Sequence, residues 1–410
     1  MHIEDTVLDN GLKVLCGSQL GLQTVAFAFG VHYGSIDEDP RINGSAHFLE
    51  HMLFKGTRKR GWKQISDELK EMGVRNNAFT DHETTVYYMQ VYKNYADRTM
   101  EILSDMVKNS TLPEKEFELE RGPIINENLI RHDNSKYMIS DYIPKALYKS
   151  HPAKMSVGGD NEKTISKITR VDLERIYKDY YTPRNSILTI YGGISGKAAF
   201  SMATKHFGDM DGAYRKPVRR VAKEAQEHRQ LTIRRKGIKQ TRIGIGFKCS
   251  EFSKARIGEF ISLLVAERYL DDRLFDEVRQ KRGLSYDPMA SYEPYDTFGF
   301  IAAATGIEPR KVGEAKKVIL REFTKLHDGE IDKREFEDTK KTLSIENRVK
   351  VDNTAQMGIE MAVYELMYGG SKILESLPDA MAKVKLDDMV GYCQKYIKPD
   401  KYGTVLLKPS

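Results

Sequence analysis

The order of secondary-structure signals in residues 1–212 recurs in residues 230–410, and this repetition limits the fold more than any single motif does. In the first half, TVLDNGLKVLCG sets Asn10-Gly11 between two alternating runs, the pattern of a tight β-hairpin. TVAFAFGVHYGS (24–35) alternates as a strand, a helix begins near Ser45, KQISDELKEMG (63–73) is helical, and NAFTDHETTVYYMQV (77–91) returns to period two. Residues 94–109 and a long charged stretch from about Pro113 read as helices, and NSILTIYGGI (185–194) as a strand. In the second half QTRIGIGFKC (240–249) is a strand, EFISLLVAERYLDDRLFDEVRQ (259–280) an amphipathic helix and FGFIAAATG (298–306) a strand. Two further helical stretches cover about 309–328 and 332–367. A strand–helix–strand order repeated at about 210 residues predicts duplication. Antiparallel-looking strands mixed with blocks of helices predict an α+β chain of two similar lobes, each an antiparallel-rich sheet packed with helices. Between them AYRKPVRRVAKEAQEHR loses apolar periodicity and gains charge. The predicted domains are therefore a lobe at 1–212, a charged linker at 213–229 and a second lobe at 230–410.

The chain has 410 residues, long for one core and comfortable for two. No run of about 18 apolar residues is present to span a bilayer, so no membrane association is expected. MHIEDTVLDN has no basic region followed by an apolar one, and the expectation is a cytoplasmic protein. The three cysteines, Cys16, Cys249 and Cys393, are far apart, which argues against a disulfide framework and against a thiolate zinc site. A formal charge of +6 spread through interleaved acids and bases gives no reason to expect nucleic acid. The short basic patches RKPVRR (215–220) and RRK (234–236) are expected to be solvated surface.

One five-residue run points to chemistry. His47-Phe48-Leu49-Glu50-His51 lies in the first predicted helix, where residues i and i+4 share a face. Both imidazoles can therefore reach one metal ion, while Glu50, at the edge of that face, can hold a metal-bound water without being a ligand. Hydrolytic zinc sites use three protein ligands and one open position, with a carboxylate to take the proton from water. The bland alternative is two helical histidines flanking a surface glutamate. With 10 His in the chain, the pattern arises by chance in roughly one or two per cent of such sequences, so a third ligand is needed to decide.

His-x-x-Glu-His is the inverzincin order. GSAHFLEHMLFKGT (44–57) resembles the pitrilysin/insulysin family of metallopeptidases, especially the short, two-domain prokaryotic type of its mitochondrial-processing-peptidase branch, and the resemblance covers essentially the whole chain. In that family a third zinc ligand, a Glu, lies well downstream of the second His, with another Glu seven positions before it. FELERGPIINENL (117–129) offers Glu127 at the family's distance from His51, and Glu120 at the family's distance from Glu127. The resemblance thus implies Glu127 as the ligand and Glu120 as a carboxylate supporting the ligand set. Gly122-Pro123 lies between the two and predicts a kink or a restarted helix, which puts Glu120 in question and leaves Glu127 unaffected. Asn77-Ala78-Phe79-Thr80 resembles the family's edge strand, which pairs with the substrate backbone. RLFDEVRQKRGLSY (273–286) resembles its Arg/Tyr signature and implies that Arg279 and Tyr286 hold substrate and the tetrahedral oxyanion.

The equivalent helix of the second half, ISLLVAERYLDDRLF, has no His, so one Zn²⁺ per chain is expected, with Mn²⁺ or Co²⁺ chemically acceptable. The other histidines fall at no ligand spacing, and His82 is the one expected nearest the cleft. The resemblance implies a zinc metalloendopeptidase for short or unfolded peptides, working as a homodimer that encloses a chamber. The alternatives are a catalytically silent binding or assembly subunit, and an enzyme active only as a heterodimer.

Overall fold

Gly11 takes a φ of +91°, a conformation open to glycine, and lets β1 (Ile3–Val7) fold back antiparallel onto β2 (Lys13–Ser18). The computed structural model describes all residues other than 160, 216, 218 and 220–223, and the backbone alone of 161 and 162. The first half continues with β3 (Thr24–Val31), α1 (Ser45–Met52), α2 (Trp62–Glu71), β4 (Arg75–Thr80) and β5 (Thr85–Tyr92). It then runs through α3 (Ala96–Asn109), α4 (Glu114–Asp133), α5 (Ser135–Leu147), α6 (Asn161–Ile165), α7 (Arg170–Tyr180), β6 (Ser186–Gly192) and α8 (Gly196–Phe207). The second half comprises β7 (Arg229–Arg235), β8 (Thr241–Cys249), α9 (Ile257–Leu274), β9 (Met289–Pro294), β10 (Gly299–Ile307) and α10 (Val312–Asp328). It closes with α11 (Lys333–Val349), α12 (Thr354–Tyr368), α13 (Ile373–Ala382), α14 (Leu386–Tyr396) and β11 (Gly403–Pro409). The helical stretch expected over 332–367 is thus two helices. A 3-10 turn at Lys350–Asp352 interrupts it, and Asn353 caps α12 by accepting from the Gln356 amide.

The two sheets share one topology. The first runs β1-β2-β6-β3-β5-β4 and the second β7-β11-β8-β10-β9. In each, the earliest core strand pairs parallel with the last (β2 with β6, β7 with β11), and every other pair is antiparallel. Among the described residues, β1 is the only strand of the first sheet without a counterpart in the second. The chain is α+β with two sheets of matching order, as the repeated pattern of the sequence requires.

The compact units differ from a division into contiguous halves. The first contains Met1–Asn128, Met155–Arg219 and Val349–Glu375, and the second Leu129–Lys154, Arg220–Arg348 and Ser376–Ser410. The change of unit between Arg219 and Arg220 falls inside the expected linker. The difference lies in α5 and α12, each of which packs on the sheet built by the other half. α12 lies on β3 and β6; Gly17 of the adjoining β2 and Gly30 of β3 leave room for Met361 and Leu366, and Thr189 Oγ1 donates to the Gly358 carbonyl at 2.7 Å. α5 lies on β8 and β11, with Ile139 and Ile143 against Gly244 and Gly246. Amphipathic periodicity identifies a helix face but not the sheet that will bury it, so order along the chain assigns both helices to the half that encodes them.

Arg219 also departs from expectation. It is not solvated surface: its side chain is 6% exposed and its guanidinium donates to Asp37 Oδ1 and Oδ2 at 2.8 and 2.7 Å and to the Glu83 carbonyl at 2.7 Å. Burial of a charge requires such pairing, which the composition of the linker could not reveal. Lys216, Val218 and Arg220 of the same patch lie outside the described residues. Among the described residues no helix is long and apolar enough to cross a membrane, and the three cysteines are free and buried.

Candidate metal centre

α1 is only eight residues long and is fixed at its start by a buried carboxylate. Glu38 accepts from the Gly44 amide at 2.7 Å, the Ala46 amide at 2.6 Å and Asn43 Nδ2 at 2.7 Å, satisfying the open N–H groups of the helix N-terminus. Burial pushes the Glu38 carboxyl up to about 8, against the lowering effect of these hydrogen bonds. Gly44 itself has φ +97°, and a Cβ there would meet Ile165 Cδ1 at 2.5 Å. The apolar residues of α1, Phe48, Leu49 and Met52, are fully buried, and Phe48 stacks on Phe117 of α4 with ring centroids 4.8 Å apart. That contact sets α4 alongside α1, with the carboxylates of α4 opposite the histidines.

α4 runs unbroken from Glu114 to Asp133 with Pro123 inside it. The kink or restart expected at Gly122-Pro123 does not separate the two glutamates. Seven positions are about two turns, so Glu120 and Glu127 share a face.

His47, His51 and Glu127 form the one group among the described residues whose donor atoms could together hold a metal ion. His47 Nε2 lies 3.2 Å from His51 Nε2 and 3.7 Å from Glu127 Oε1, and His51 Nε2 is 3.4 Å from Glu127 Oε2. Tetrahedral donors at about 2.0–2.1 Å from zinc are about 3.3 Å from one another, so the set fits that ion in both spacing and chemistry. Glu120 Oε1 accepts from His51 Nδ1 at 2.9 Å, which fixes the tautomer that turns Nε2 towards the cluster. The other Glu120 oxygen is ion-paired to Lys55. Burial opposes a charge on His51, but hydrogen bonds to Glu120 and Glu127 and the nearby Glu50 outweigh it and raise the imidazole to about 9. Despite its own desolvation, Glu120 is held below the usual carboxylate range by His51 and Lys55. Three carboxylates facing two imidazoles and one ammonium make this a place for a cation.

Glu50 is buried, and its Oε2 accepts from the Thr80 hydroxyl at 2.6 Å. Thr80 ends β4, which carries Asn77, Ala78 and Phe79 and is an edge strand paired only with β5 among the described residues. Beside it an open cavity of about 500 Å³ is lined by Phe54, Lys55, Trp62, Ile65, Leu69 and Asn76. His82 lies just beyond β4, its Nδ1 3.1 Å from Ser35 Oγ. Glu38 and Thr80 are the two residues of this region that sequence reasoning missed. For Thr80 the sequence gives only its place in the predicted edge strand, which speaks to backbone and not to the hydroxyl.

Arg279 and Tyr286 belong to the second unit, and the structure brings them together: the guanidinium carbon is 4.1 Å from the tyrosine ring centroid. Arg279 sits in a wide π-helical turn, Phe275–Gln280, that follows α9. That turn is gripped by Glu277, which is buried and accepts from Arg273, Lys281 and Arg282 at 3.0, 2.6 and 2.5 Å. Tyr286 is 79% exposed.

The fold is that of a metallopeptidase family. The chain belongs to the insulinase family: residues 13–161 match "Insulinase (Peptidase family M16)" and residues 167–343 match "Peptidase M16 inactive domain". It is 27% identical over 403 residues to the "uncharacterized zinc protease YmxG" of Bacillus subtilis, spanning 98% of this chain and 97% of that one. It is 37% identical over 204 residues to the human mitochondrial-processing peptidase subunit beta, a match of 50% of this chain and 41% of that one. Among solved structures, a protease from Helicobacter pylori shares the fold with a TM-score of 0.93 at 22% identity, covering 100% of this chain and 99% of that one.

Proposed function

We propose that this chain is a zinc metalloendopeptidase that hydrolyses short or unfolded peptides in an enclosed chamber, with His47, His51 and Glu127 holding one zinc ion and Glu50 as the base. The observation that carries this reading is the convergence of those three donors, with the Glu50 carboxylate on the same helix and tied to the edge strand. A zinc ion held there would supply the Lewis acidity that polarises a scissile carbonyl and brings the pKa of water towards neutrality. Glu50 takes the proton of the attacking water and delivers it to the leaving nitrogen. Glu120 keeps the His51 ring in its ligating orientation. The open edge of β4, at Asn77, Ala78 and Phe79, receives the extended peptide through its backbone, with little demand on side chains. Arg279 and Tyr286 steady the substrate backbone and the oxyanion, and in our reading they come from the other subunit of a homodimer. The protein acts in the cytoplasm, in keeping with its three free cysteines.

The test is mass spectrometry of an unstructured peptide mixture after incubation with wild type, wild type plus chelator, and Glu50→Gln. Cleavage by wild type alone is the expected result. Metal bound one per chain without cleavage would point to a missing partner chain, and neither metal nor cleavage to a silent binding subunit. A fully active monomer on gel filtration would overturn the homodimer.

A further inference from the structure

The bond from Thr80 to Glu50 is the front of a longer buried arrangement. Behind Thr80 Oγ1, at 3.4 Å, lies Thr85 Oγ1, its cross-strand partner in the β4–β5 pair. The Thr85 hydroxyl donates to the Tyr33 carbonyl at 3.0 Å, so its proton is committed. Tyr87 OH lies 2.8 Å from Tyr181 OH. Thr85, Tyr181 and Tyr87 are all buried, at 0, 5 and 1% exposure. Thr85 spends its one hydroxyl proton on the Tyr33 carbonyl. Thr85 then has no proton for Thr80, and the Thr80 proton goes to the nearer, charged acceptor, Glu50 Oε2 at 2.6 Å against Thr85 at 3.4 Å.

A glutamate side chain has a broad terminal torsion, and being one turn from a metal ligand does not fix its carboxylate plane. A charge-assisted O–H···O⁻ bond at 2.6 Å does. We propose that Thr80 is a positioning residue for the base: backed by the buried Thr85 hydroxyl, it fixes the Glu50 carboxylate beside the donor cluster and ties it to the strand on which a peptide would be laid. This rests on the reading of Glu50 as the base. It makes the substrate strand and the base one mechanical unit, because the residue that ends β4 also holds the proton acceptor.

The experiment compares Thr80→Val, which keeps the shape and loses the hydroxyl, with Thr80→Ser, which keeps the hydroxyl, against wild type and Glu50→Gln. Each protein is assayed for kcat, KM and bound metal, and the metal-free wild type and Thr80→Val are crystallised. Thr80→Val is expected to lower kcat about 10- to 100-fold with KM within about twofold and metal content unchanged, since a misplacement near 1 Å costs about that much. Thr80→Ser is expected to recover most of the loss. In the Thr80→Val crystal the Glu50 carboxylate is expected to leave its wild-type position. A wild-type kcat in Thr80→Val, a defect lying only in KM or in metal content, or an unmoved Glu50 would overturn the proposal. If wild type and Glu50→Gln behave alike, the role of Glu50 as base is what fails, and the crystal comparison still decides whether Thr80 positions it.

Discussion

Replacing Glu120 by Gln tests how much of the metal site lies outside the ligands. Glu120 is buried, and one oxygen holds His51 Nδ1 at 2.9 Å while the other pairs with Lys55. A glutamine is the same shape, but it carries a single acceptor where the carboxylate carries two. If its oxygen faces His51, its NH₂ group meets the Lys55 ammonium, donor against donor; if it flips, His51 Nδ1–H loses its acceptor. In either orientation the negative charge that raises the basicity of His51 is gone. Hydrogen bonds to charged groups are worth about 1.5–3 kcal/mol, and supporting carboxylates of this kind contribute about 10- to 100-fold to metal affinity, or about 1.4–2.7 kcal/mol. The two estimates agree, so the zinc Kd of Glu120→Gln is expected to rise by that factor. Competition with a chromophoric chelator at fixed pH measures it. Glu127→Gln, which alters a donor atom itself, is expected to lose considerably more and calibrates the scale. A wild-type Kd in Glu120→Gln would refute the assignment of Glu120 as the partner of His51, and with it the importance of α4 running straight through Pro123.

Two further outcomes follow from buried carboxylates. Glu38→Gln places an amide nitrogen against the donors of Gly44 and Asn43 or of Ala46; one N–H left unsatisfied costs about 1–3 kcal/mol. A lower melting temperature together with weaker metal binding is expected, and an unchanged melt would show that α1 needs no carboxylate at its start. Glu267 is pushed up to about 7 from 4.5 by burial and by the nearby Asp271. Its folded form therefore holds more protons than the unfolded one between those values, and its contribution to stability is lost as pH rises from about 4.5 through 7. Glu267→Gln cannot ionise and is expected to gain up to about 3 kcal/mol over wild type at pH 8 and almost nothing at pH 4, read from urea midpoints. Equal gains at both pH values would exclude ionisation as the cause.

Much of the site was legible because helix geometry converts spacing into position. His47 and His51 at i and i+4 had to share a face, and Glu120 and Glu127, seven positions apart, had to share one if α4 was continuous. Which carboxylates met those imidazoles was not legible from spacing and came from the family resemblance. Pro123 threatens Glu120 on paper because proline removes a backbone donor, yet one missing donor does not break a helix held to α1 by the Phe48–Phe117 stack. The sheet order was not legible either, since the parallel pairs β2–β6 and β7–β11 each join strands from opposite ends of their half of the chain. Thr80 escaped notice for a related reason. Its hydroxyl matters only because tertiary packing brings the end of an edge strand to the side chain of Glu50.

The exchange of α5 and α12 between the two sheets has a consequence for synthesis. The ribosome finishes the second segment of the first unit at Arg219 and must make the whole of Arg220–Arg348 before it starts the third at Val349. At about 5–20 residues per second, that interval is on the order of 10 s. For all of it the face of β3 and β6 that will receive Met361, Ala362 and Leu366 stands without its cover. The second sheet faces no such wait, because α5 is made before any of its strands. The nascent first sheet is thus the stage most exposed to aggregation or to capture by a chaperone. A fragment ending at Arg219, however complete its metal ligands, would remain in that stage permanently.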